Sequence, residues 1–163
     1  MILGLSTAAF TQLHVLISLV GIVSGFVVLA GLWTAKRLPG WTELFLATTI
    51  ATSATGFLFH SKAFGPPHIV GVISLVVLAI TVFARYKSAL VGAARWVYVV
   101  GAVLALYFNV FVAVAQAFDK IPALHALAPT GSEPPFAIAQ GIVLLLFIAS
   151  GYSAVRKFHP GPA

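Results

Sequence analysis

The sequence predicts an all-α integral membrane protein, and three observations carry that prediction. Of its 163 residues, 61% are hydrophobic and 7% are charged, whereas about a quarter of a soluble domain is charged. The mean hydropathy is +1.09. Five apolar runs of about 20 residues follow one another, the length that crosses roughly 30 Å of hydrocarbon at 1.5 Å per residue. The basic residues fall between these runs. So little charge cannot cover a water-facing surface, so lipid must cover it. The chain is read as a single transmembrane helical domain, 1–163, forming a five-helix bundle.

The first helix is expected over about 8–33, with Ser6 or Thr7 as its N-cap, and ends before Lys36-Arg37-Leu38-Pro39-Gly40. The second, about 42–60, is rich in small residues from Ala47 through Thr55-Gly56. Small side chains let backbones approach and hydroxyls bond across helices, so this helix is expected in the interior. The third, about 68–86, follows Pro66-Pro67, where proline is tolerated because first-turn amides are unpaired. A short link leads to the fourth, about 95–118. A longer link from Asp119 to Pro134 precedes the fifth, about 135–157.

Five crossings put the termini on opposite sides. Lys36, Arg37, Arg85, Lys87, Arg95, Arg156 and Lys157 fall on one side, and Lys62 and Lys120 on the other. The positive-inside rule then predicts an outer N-terminus and a cytoplasmic C-terminus. Trp33, Trp41, Trp96, Tyr86, Tyr98 and Tyr152 mark the same cytoplasmic end, an expected interfacial belt.

Composition also excludes. With no cysteine, disulfides, thiolate sites and iron–sulfur clusters are ruled out. The net charge of +6 is explained by topology, and no nucleic-acid partner is expected. The first ten residues carry no basic side chain, unlike the start of a cleavable signal peptide, and the first run is read as retained.

The stretch Gly56 to Gly71 turns on Gly65-Pro66-Pro67 with His60 and His68 at its two lips. His14 lies about 9 Å into the first helix on the same outer side. Asn109, Gln116 and Gln140 are expected to point toward that end, with His125 in the long link. Three ligand chemistries fit such a pocket. Haem b would take His14 and His68 as axial imidazoles, with Ser18, Gly21 and Gly71 beside them to admit the ring. A metal ion would take His14, His60 and His68, as zinc, copper(II) or non-haem iron. A quinone-like amphiphile would bond histidine and amides between Phe57, Phe59 and Phe64. Electron transfer would follow from the haem or metal. No catalytic residue is singled out.

The plain alternatives are interfacial histidines with no ligand, and Gly21-x-x-x-Gly25 as a close helix contact. In that case the chain is a non-catalytic accessory or scaffold subunit, packed against other membrane subunits or copies of itself. A small oligomeric carrier ranks below these, because no membrane-embedded charge is available to couple to an ion gradient.

The stretches from His14 to Gly25, Gly40-Trp41-Thr42 through Thr55-Gly56-Phe57, Pro67-His68-Ile69-Val70-Gly71, Arg95-Trp96-Val97-Tyr98-Val99-Val100 and Ser132-Glu133-Pro134-Pro135-Phe136 together resemble a family of small multi-span bacterial inner-membrane proteins. The resemblance implies a bacterial cytoplasmic membrane and carries no assigned activity. A looser likeness to small four-helix b-type cytochromes rests on helical histidines. The one-sided arrangement here departs from a cytochrome that carries electrons across the membrane.

Overall fold

The computed structural model describes residues 1–59, 65–87 and 90–161. His60, at the first lip of the turn, and Phe64 lie outside them. Among the described residues the chain is helical, in the order α1 Thr7–Trp33, α2 Pro39–Gly56, α3 Pro66–Lys87, α4 Ala93–Lys120, α5 Pro122–His125 and α6 Pro134–Lys157.

The local signals act largely as expected. Ser6 caps α1, its hydroxyl oxygen accepting from the Ala9 N–H at 3.1 Å. α1 ends with Ala35 at φ 55° and the Lys36 N–H reaching back to Gly31 O at 2.8 Å. That is a left-handed helix stop of the kind glycine usually supplies. Leu38 then folds over Gly31, where an added Cβ would lie 2.6 Å from Leu38 Cδ1. Pro39 is taken into the first turn of α2, so α2 starts before residue 42 and stops at Gly56, short of 60. The long link holds the one-turn helix α5, where the sequence predicts only a link.

Four helices, α1, α3, α4 and α6, are long and apolar enough to cross a membrane. This makes the chain a multi-pass membrane protein by length and composition, with four such helices among the described residues where five are expected. The helix that falls short is α2. It carries Thr42, Glu43, Thr48, Thr49, Thr52, Ser53 and Thr55 within 18 residues, and these lower its hydropathy.

Successive long helices run antiparallel. Along α1 and α2, His14 meets Thr55, Ser18 meets Thr52, and Gly25 meets Phe45. Ser53 of α2 bonds Ser74 of α3 at 3.0 Å. Thr81 of α3 packs directly on Gly101 of α4. Gln140 of α6 donates to Phe111 O of α4 at 3.0 Å.

The interior helix is α4, correcting the expectation for α2. Tyr98, Val99, Ala102, Ala105, Leu106 and Asn109 are buried along α4, which touches every other helix. α2 buries only Thr42, Phe45, Leu46 and Thr49 and leaves Trp41, Leu44 and Ile50 exposed. The reason is the run of small side chains on α4, Gly101, Ala102 and Ala105, which lets neighbours close in from several sides.

Candidate functional site

The two ends of the bundle lie about 28 Å apart, the rise of α1 from His14 to Trp33. They hold different chemistry.

At the histidine end, α1 and α2 meet through polar groups. His14 Nδ1 and Thr55 Oγ1 are 2.8 Å apart. The Thr55 hydroxyl gives its one hydrogen to Ala51 O at 2.6 Å, so it accepts from His14. The neutral imidazole is therefore protonated on Nδ1 and keeps its lone pair on Nε2. Phe59 stands edge-on to the ring at 5.1 Å. Ser18 donates to His14 O at 2.7 Å and lies 3.3 Å from Thr52 Oγ1. His68 occupies the first turn of α3, its Nδ1 accepting from the Gly65 N–H at 3.2 Å. Its ring lies 5.8 Å from that of Phe57.

The other expected pocket residues do not join these. Asn109 is buried at mid-bundle and donates to Thr49 Oγ1 at 3.1 Å, on the α2–α4 seam. Gln140 is buried on the α4–α6 seam, with its Oε1 unpaired among the described residues. Gln116 and His125 are exposed. No group of three histidine or acidic residues that could hold a metal is found among the described residues.

Neighbouring side chains stand over two of the glycines expected to admit a porphyrin. A Cβ on Gly71 would lie 2.9 Å from Phe57 Cζ, and one on Gly21 would lie 3.2 Å from Thr48 Oγ1 and 3.4 Å from Asn109 Nδ2. Two surface grooves, one lined by Val20, Val23 and Trp41 and one by Tyr107, Phe147 and Tyr152, are apolar and contain none of the expected pocket residues.

The opposite end gathers arginines whose position in the sequence marks only topology. Arg95, at the start of α4, donates from Nη1 to Val155 O and Phe158 O, each at 2.8 Å. It thereby closes the C-terminus of α6, where carbonyls lack helix partners. Arg37 Nη2 donates to Gly161 O at 3.1 Å. The Arg85 guanidinium lies 5.5 Å from the Tyr86 ring centre and 5.4 Å from that of Tyr98. Tyr98, expected in an interfacial belt, is instead buried at 1% exposure, beside Thr42 and Arg85. Trp33, Trp41 and Trp96 are exposed at this end, as a belt requires. The signal that could have been read is the pairing of arginine and tyrosine at 85–86 and 95–98.

No protein-family model, no curated protein and no solved structure matches this chain.

Proposed function

We propose that the chain is a non-catalytic accessory or scaffold subunit of the bacterial cytoplasmic membrane, crossing five times with its N-terminus outside. The observation that carries this reading is the use to which the embedded polar side chains are put. His14, Ser18, Thr49, Ser53, Ser74 and Asn109 all bond across or along helix seams, where such bonds hold helices together. The hydroxyls that keep α2 below the usual hydropathy of a span are turned to α1, α3 and α4, or back onto their own carbonyls, as at Thr48 to Leu44 O, 2.6 Å. That lets α2 cross as a fifth helix, antiparallel to α1. The loop charges supply the orientation.

One observation favours a second reading. The Nε2 lone pair of His14 is suited to a metal ion, since a ligating imidazole usually donates its other N–H to a neighbouring acceptor. His68, and His60 outside the described residues, are the further imidazoles the sequence offers.

An absorption spectrum and elemental analysis of mildly solubilised protein separate the two. The first reading expects a colourless, metal-free protein that elutes with a defined larger assembly. A Soret band or a stoichiometric metal that disappears in His14→Ala overturns it and establishes the second.

A further inference from the structure

We propose that the arginine end binds the phosphate of an anionic membrane lipid, taken between Arg85 and Arg37. The two residues flank one buried pair. Thr42 donates to Arg37 O at 3.2 Å and lies beside Tyr98, over whose ring Arg85 sits. The Arg85 guanidinium lies over the rings of Tyr86 and Tyr98, a cation–π placement that holds it at this end of the bundle. Nε of Arg85 and Nε of Arg37 are both buried, and neither has an acceptor among the described residues.

Among the described residues no carboxylate pairs with these arginines. Glu43, in the second turn of α2, is exposed, and the ion pair among the described residues, Lys120 with Asp119, belongs to the opposite end. A half-buried guanidinium with no counter-charge and an unsatisfied Nε is costly. The belt of Trp33, Trp41 and Trp96 sets this end at headgroup depth, where lipid phosphate is the abundant anion and matches the guanidinium fork. Arg95 is already committed to Val155 O and Phe158 O through Nη1 and acts as a wall of the site.

The test titrates phosphatidylglycerol into the full chain in phosphatidylcholine nanodiscs and follows the thermal midpoint, with inorganic phosphate as a separate arm. The expected result is a rise with phosphatidylglycerol and none with inorganic phosphate. Arg85→Gln and Arg37→Gln should each weaken the apparent affinity about tenfold or more, the loss of charge-assisted hydrogen bonds. Arg156→Gln, which removes an exposed arginine of the same end, should weaken it about fivefold at most. Arg85→Lys keeps the charge and loses the fork, and should weaken binding nearly as much as Arg85→Gln. Equal losses in Arg85→Gln and Arg156→Gln would mean diffuse surface charge and overturn the proposal. An equal response to inorganic phosphate overturns the lipid as the source of the anion. If Arg85→Gln fails to fold, Arg37→Gln and Arg85→Lys decide by the same criteria.

Discussion

The histidine end and the arginine end are built from similar raw material, a few polar side chains at the tips of apolar helices, and they reach opposite outcomes. At the first, donors and acceptors of the chain match one another: His14 finds Thr55, and Ser18 finds the His14 carbonyl. At the second, among the described residues, cations outnumber the carboxylates that could neutralise them. Arg95 is satisfied by two carbonyls, while Arg37 and Arg85 each keep a buried Nε with no acceptor among the described residues. Neutral hydroxyls and imidazoles can close a seam from within, whereas an excess of guanidinium has to be balanced from outside.

The largest way to break this contrast is Arg95→Ala. It removes two charge-assisted bonds that hold α6 to α4 and should cost about 2–4 kcal/mol, read as a fall in the unfolding midpoint in detergent. Arg95→Lys should restore only part of this, because a single ammonium does not reproduce the planar fork.

At the other end Thr55→Val leaves the His14 Nδ1–H without its acceptor. The expected cost is about 1 kcal/mol, since hydrogen bonds between membrane helices are individually modest. A double-mutant cycle with His14→Ala should recover a coupling of that size. A coupling near zero would mean that the 2.8 Å contact contributes nothing to holding α1 on α2.

A smaller effect sharpens the loop that leads into α6. Leaving water pushes the Glu133 carboxyl up, but the Thr130 hydroxyl and the Thr130 and Ser132 amides outweigh this and bring it down to about 2. A depressed carboxyl stabilises the fold in its ionised form. Its contribution is whole above the ordinary value of 4.5 and is lost as the pH falls toward 2. Hydrogen exchange at the Thr130 and Ser132 amides should therefore lose protection over that window and stay flat above it. The smallest effects belong to Gln116→Ala and His125→Ala, both exposed, which should change stability by no more than about 0.5 kcal/mol.

What the sequence disclosed follows from what is local in the chain. The Ser6 cap, the apolar runs and the close contact at Gly21-x-x-x-Gly25 depend on neighbours a turn apart, and all three were legible. The start of α2 was misjudged because Pro39 reads equally as a breaker and as a first-turn residue. Convergence of side chains was not legible. A helix rotates about 100° per residue, so Asn109, Gln116 and Gln140, all near one end in sequence terms, end on three different surfaces. The arginine end stayed hidden for the same reason. Only the packing of α3 on α4 brings Arg85 over Tyr98, and only the folded tail sets Gly161 against Arg37.

One native mass spectrum of the intact chain, released gently from detergent, interrogates both ends together. A closed histidine end and an open arginine end predict the chain mass plus one anionic phospholipid, with no haem or metal adduct. A spectrum showing a haem or metal adduct and no retained lipid would contradict the account at both ends.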